Sequence, residues 1–183
     1  MEDGDTQIKN TRKTFIGIDF DKTLVPSECT TITNQHKSAL LGLISLKKQY
    51  GENVIVCIVT MTSRERVFAH LGIDEKSLIF VIDKTDVISG DEAEQTKACA
   101  VKRWLVAHEF EHSLVDVVMY DDNIYHLRDP NWHTQDFHGV WLYHIKENSL
   151  LFSENMHCGL FYPEDDHHTH AYIKYITCLL NNI

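Results

Sequence analysis

Apolar residues along the chain follow two rhythms. Five short runs have almost no polar interruption: TFIGIDF (14–20), NVIVCIVT (53–60), SLIFVID (77–83), LVDVVMY (114–120) and GVWLYHI (139–145). Each predicts a strand, and a strand apolar at successive positions is covered on both faces, as central parallel strands are. Between these runs the apolar positions recur at helical spacing. NQHKSALLGLISLKKQY (34–50) carries Leu40, Leu41, Leu43 and Ile44 and stops at Gly51. SRERVFAHLG (63–72) predicts a short helix ended by Gly72. DEAEQTKACAVKRWLVAHEF (91–110) predicts a long helix with acids in its first turn, where the helix dipole favours them. HTHAYIKYITCLLNN (168–182) predicts a closing helix. The alternation predicts an α/β fold, a doubly wound Rossmann-like parallel sheet of about five strands with helices on both faces. The span 1–183 reads as one domain with 1–13 as a flexible tail.

In such sheets ligands bind beyond the carboxyl ends of the strands. Asp19 and Asp21 follow the first strand, Thr60 ends the second, and Asp121 and Asp122 follow the fourth. Four carboxylates in one crevice repel unless a cation neutralises them, and oxygen ligands without His or Cys suit Mg²⁺. A carboxylate can also attack phosphorus, and a second one two residues on can protonate the leaving oxygen and later activate water. The Thr60 hydroxyl and the N–H groups of a helix starting near Ser63 would hold phosphoryl oxygens, and a Lys would complete the set.

These residues carry a resemblance. FIGIDFDKTLV (15–25) looks like the first motif of the haloacid dehalogenase superfamily of phosphatases, an apolar strand followed by DxDxT. VIVCIVT (54–60) resembles its second motif and VVMYDD (117–122) its fourth. The third motif, a Lys, has two candidates. Lys97 lies near the start of its helix and Lys102 lies mid-helix; helix starts face the strand carboxyl ends, which favours Lys97. The resemblance implies that Asp19 is the nucleophile and Asp21 the general acid/base, with Thr60 and Lys97 holding the phosphate. It implies Mg²⁺ on Asp19, the Asp21 main-chain carbonyl and Asp121, with Asp122 beside them. Asp21 separates the chain from the dehalogenase branch, which lacks that second acid. Tyr120 precedes the acidic pair where a glycine is commoner, so the split of roles between Asp121 and Asp122 stays open.

The spacings from Asp19 to Thr60 and from Thr60 to Asp121 are filled by the predicted elements, leaving no room for a full cap domain. The resemblance implies a large substrate, since capless members of that superfamily tend to act on such substrates. A net charge of −10 disfavours nucleic acid, which leaves a phosphorylated protein or peptide. The stretches 25–35 and 123–138 are expected to border the site, and Tyr125, Trp132 and Phe137 would flank a phosphotyrosine ring or else pack over the sheet edge. A weaker similarity points to phosphotyrosine phosphatases of this superfamily that intracellular bacteria deliver into host cells. The alternatives are a module that binds a phosphorylated ligand without hydrolysis and a polynucleotide end phosphatase, which would need a basic track.

Composition adds context. Five scattered cysteines form no CxxC pair, and Cys57, Cys99 and Cys178 read as buried free thiols of a reducing compartment. No apolar leader or membrane span is evident, so a cytoplasmic location is expected, with delivery into a host cell by a route lacking a cleaved leader implied only by the weaker similarity. The oligomeric state stays open. HEFEH (108–112) matches the zinc-protease pattern HExxH, but His108 lies about 16 Å along its helix from Lys97. DDHHTH (165–170) reads as a helix cap rather than a metal site, Arg64 as a substrate contact or a surface residue, and Arg12 and Lys13 as solvated.

Overall fold

The computed structural model describes residues 12–25, 44–45, 47–72, 76, 78–111, 114–133 and 137–145, and residues 158–160 as backbone. Five parallel strands, β1 (Lys13–Ile18), β2 (Val54–Val59), β3 (Phe80–Ile82), β4 (Val115–Asp121) and β5 (Gly139–Ile145), lie in the order β3-β2-β1-β4-β5. The chain steps outward from β1 to β3, then returns to place β4 on the other side of β1. That reversal opens a crevice at the carboxyl ends of β1 and β4, where such sheets bind ligands. A sixth strand, β6 (Cys158–Leu160), pairs antiparallel with β5 at the sheet edge and has no counterpart among the predicted elements.

Side chains alternate along the strands, and each face has its own core. Ile16, Ile18, Val56, Ile58, Val118, Tyr120 and Trp141 pack on one face with Val67 of α1 (Arg64–His70). Phe15, Ile55, Val59, Val117, Met119 and Leu142 pack on the other with Ala98, Val101 and Leu105 of α3 (Lys97–Ala107). Burial on both sides is why the strands read as unbroken apolar runs. Gly17 sits where a β-carbon would come 2.7 Å from Met119 Sδ, so β1 and β4 need a bare backbone there.

Several boundaries move. The strand expected over 77–83 starts only at Phe80, because this edge strand pairs with β2 from Cys57 to Val59 alone; Lys76 and Leu78 are helical. A single-turn helix, α2 (Lys84–Val87), follows it, closed by a reciprocal cap between Asp83 and Asp86. The helix expected from 91 begins at Lys97, because the Thr96 hydroxyl accepts from Cys99 N–H and caps it. Its first turn holds no acid; Glu92 and Glu94 lie in a separate 3₁₀ turn upstream. Residues 44–45 and 47–50 are the helical end of the segment expected over 34–50. The rest of that segment, the closing helix (168–182) and DDHHTH lie outside the described residues. Arg12 and Lys13 are tied down rather than solvated: Arg12 grips Asp116, and Lys13 opens β1 and donates to the Glu52 carbonyl. Between Thr60 and Asp121 the described residues form the layers around the sheet and no cap. Cys57 is buried and free, and its thiol is pushed up by burial; Cys99 is free but only partly buried. No helix of the described residues is long and apolar enough to cross a membrane.

Candidate active site

The registers set the site. Ile18 pairs with Tyr120 on β4 and with Ile58 on β2, so Asp19, Asp121 and Thr60 all emerge at one end of three neighbouring strands. The Asp19 N–H donates to the Tyr120 carbonyl at 2.8 Å, continuing the ladder one residue past the end of β1. Lys97, the first residue of α3, points its ammonium back over these ends. Its Nζ donates to Asp19 Oδ1 at 2.7 Å and to Asp121 Oδ2 at 2.6 Å. All three groups are buried, as is Thr60, whose hydroxyl accepts from the Thr62 N–H at 3.2 Å. Lys102 is placed elsewhere, with its ammonium 5.7 Å from the centre of the Phe137 ring. Of the two lysines, it is Lys97 that meets the aspartates.

Asp122 joins the cluster. Carboxylate oxygens of Asp19, Asp121 and Asp122 lie within 4.8 Å of one another. Lys97 meets two of the three carboxylates, so burial and the charges of neighbours both act on their titration. Burial raises Asp19 to about 7, opposed by the Lys97 charge and reinforced by Asp121. Burial also raises Asp122, with the Asp121 charge adding to it. Burial pushes Asp121 up too, but Lys97 and a hydrogen bond from His126 outweigh it and hold that carboxyl below the usual range. Burial alone would lower Lys97; the two carboxylates reverse this and raise it.

Asp21 stands apart from the cluster. Lys22 takes a positive φ of 62°, the turn closes by Lys22 N–H to the Val25 carbonyl, and the Asp21 carboxylate faces outward, 41% exposed. There it pairs with Arg66 Nη2 at 2.7 Å. Arg66 also donates to the Thr62 hydroxyl at 3.3 Å and lies 5.8 Å from the Phe20 ring centre. Arg66 was not singled out by sequence reasoning, which chose Arg64. Arg64 faces away, toward Asp86 at 2.8 Å and the Val81 carbonyl at 2.9 Å. His126 is the other unanticipated neighbour. Its Nδ1 lies 3.1 Å from Asp121 Oδ2, on the one-turn helix α4 (Ile124–Leu127) that Asn123 caps. The signal was available: His126 falls just over one helical turn after the acidic pair.

Of the three aromatics expected near the mouth, Trp132 and Phe137 belong to the core, and Trp132 Nε1 donates to the His126 carbonyl. Tyr125 is 76% exposed. HEFEH does not continue the helix through Glu109, and its His112 lies outside the described residues. α3 ends at Ala107, His108 is its cap, and Glu109 takes φ 60°. Among the described residues the three aspartates form the one cluster of metal-ligand type. No known protein family, curated protein or solved structure matches the chain.

Proposed function

We propose that the chain is a Mg²⁺-dependent phosphomonoester hydrolase of the haloacid dehalogenase type, acting through an aspartyl-phosphate on Asp19. The observation that carries this reading is the Lys97 ammonium held between Asp19 and Asp121, with Asp122 alongside. The donor set fits the metal: it is all oxygen, clustered, and more negative than Lys97 alone offsets. Asp19, Asp121, Asp122 and the Asp21 main-chain carbonyl would hold it. When bound, Mg²⁺ supplies positive charge for the carboxylates and for the phosphoryl oxygens.

The remaining chemistry belongs to the chain. An Asp19 oxygen forms a bond to phosphorus as the ester P–O bond breaks, and Asp21 gives its proton to the leaving oxygen. Water then attacks phosphorus, Asp21 takes its proton, and the bond from Asp19 to phosphorus breaks. Thr60 and Lys97 hold the phosphoryl oxygens throughout. A phosphoprotein is the favoured substrate, phosphotyrosine ahead of phosphoserine or phosphothreonine, because the exposed Tyr125 ring offers a flat apolar face. The Asp21–Arg66 pair favours a second reading, a module that binds a phosphorylated ligand with its acid occupied.

Hydrolysis of p-nitrophenyl phosphate by wild type and Asp19→Asn, each with Mg²⁺ and with EDTA, separates the two. Turnover that needs both Asp19 and Mg²⁺ supports the hydrolase. A folded wild type without turnover overturns it in favour of the binding module.

A further inference from the structure

We propose that His126 is a positioning residue: it fixes the direction of the Asp121 carboxylate and so sets the affinity of the acidic cluster for Mg²⁺. The inference rests on the phosphatase reading in one respect, that Asp121 is a ligand of that ion. A closed circuit of hydrogen bonds leaves Asp121 and returns to it. The Asn123 N–H donates to Asp121 Oδ1 at 2.8 Å, and Asn123 Oδ1 accepts from the Tyr125 N–H at 3.0 Å. That second bond decides which way the Asn123 amide lies, so its NH₂ group faces His126 Nε2, at 3.5 Å. An amide NH₂ donates, so Nε2 accepts and the neutral imidazole carries its proton on Nδ1. Nδ1 lies 3.1 Å from Asp121 Oδ2 and 3.4 Å from Oδ1, and donates to the carboxylate.

Direction, not charge, is what the circuit supplies. Lys97 already brings a cation to Asp121 Oδ2, at 2.6 Å, and shares it with Asp19 Oδ1, at 2.7 Å. An ammonium is a compact point charge on a flexible stem and sets little orientation by itself. Asn123 and His126 instead grip Asp121 at both oxygens, so the carboxylate cannot turn about its Cβ–Cγ bond without giving up both donors. His126 is held in its turn. Trp132, fully buried, donates its indole N–H to the His126 carbonyl at 2.9 Å and ties α4 to the core. From the neighbouring strand β5, His144 Nε2 lies 3.0 Å from the Asp122 carbonyl, so the main chain of the acidic pair is fixed as well. Oriented carboxylates are what a small ion with a strict ligand geometry requires. The His126 side chain is 29% exposed, so its packing contributes less than its hydrogen bonds do.

The test is a Mg²⁺ titration of the full chain in mildly alkaline buffer, followed by thermal unfolding, a readout that needs no turnover. His126→Phe keeps a ring and removes the donor; it should weaken Mg²⁺ binding at least about ten-fold. His126→Asn puts an N–H near the place of Nδ1 and should recover most of that loss. His126→Phe binding as wild type does, or His126→Asn binding no tighter than His126→Phe, would overturn the proposal. NMR of the imidazole nitrogens in wild type with EDTA checks the geometry without any substitution. It should find the His126 proton on Nδ1, and a proton on Nε2 alone would overturn the proposal. Turnover of p-nitrophenyl phosphate, measured alongside, separates this inference from the reading it rests on. Mg²⁺-dependent turnover by wild type, with Mg²⁺ binding unchanged in His126→Phe, keeps the phosphatase and removes the positioning role. Mg²⁺ binding that weakens in His126→Phe, without turnover by wild type, does the reverse. A wild type that binds no Mg²⁺ overturns both.

Discussion

Replacing Asp19 with Asn should stabilise the metal-free protein at alkaline pH far more than in mild acid. Asp19 is raised from 3.8 to about 7, by burial first, with the Asp121 charge adding and Lys97 opposing. An acid raised in this way binds its proton more tightly folded than unfolded. Stability therefore falls as pH climbs through the window from 3.8 to about 7, and stays lowered above it. From about pH 5 to about pH 8 this one carboxyl accounts for a loss of about 2–3 kcal/mol. Asn keeps the oxygen that accepts from Lys97 Nζ at 2.7 Å and cannot ionise. Between those two pH values the variant should therefore gain about 2–3 kcal/mol on wild type, or about 5–10 °C in Tm. Urea unfolding in EDTA, followed by the fluorescence of the buried Trp132 and Trp141, reads the difference. Parallel pH curves for the two proteins would refute the charge accounting. Mg²⁺ should then stabilise wild type more than the variant by mass action, a readout independent of turnover.

Three further substitutions test separate parts of the site. Arg66→Ala should cost at most about 1 kcal/mol of stability, since the pair with Asp21 is half exposed, yet change kcat with little change in KM; unchanged kcat would make the pair a surface contact only. Tyr125→Ala should raise KM for a phosphotyrosine peptide and leave a phosphoserine peptide unaffected, and an equal effect on both would remove Tyr125 from ring recognition. Trp132→Ala should cost about 3–5 kcal/mol in urea unfolding, because it empties a fully buried indole site; a cost under about 1 kcal/mol would contradict its place in the core.

The five parallel strands are legible because burial on both faces writes itself as continuous apolar runs. Their carboxyl ends are legible for the same reason: the run stops where the crevice begins, which marks Asp19, Thr60, Asp121 and Asp122. Lys97 follows from placing the helix start on that side, and the Thr96 cap makes the placement tighter than the pattern does. What the pattern misses is set by contacts at long range or by very local bonding. β6 is three residues, CGL, too short for a period. α2 exists through the hydrogen bonds of Asp83 and Asp86 rather than through an apolar stripe. Arg64 and Arg66 share a helical turn, and only the positions of Asp86 and Asp21, distant in sequence, decide which one meets the site. Tyr125, Trp132 and Phe137 look alike in sequence, yet the first lies at the surface and the other two fill the core.

β4 carries a control for the site within itself. Asp116 and Asp121 both lie on this strand, fully buried, one toward each end. At the amino end Asp116 is met by Arg12 through Nη2 at 2.8 Å and Nε at 2.5 Å, and by His138 Nδ1 at 3.0 Å. No other carboxylate among the described residues crowds it in a metal-type cluster. At the carboxyl end Asp121 shares one lysine with Asp19 and lies beside Asp122, so negative charge is in excess. The first arrangement is closed by its partners; the second keeps negative charge in excess, as the proposed Mg²⁺ site requires. Arg12→Met should therefore destabilise the fold by about 3 kcal/mol, since it strips a buried carboxylate of its main partner. It should leave the Mg²⁺-dependent stabilisation intact, because the two acids sit at opposite ends of the strand. Thermal melts of Arg12→Met and wild type with Mg²⁺ and with EDTA measure both quantities at once. An Mg²⁺ shift lost along with Arg12 would show that the two acids are coupled through β4, and burial alone would then no longer separate a structural carboxylate from a functional one.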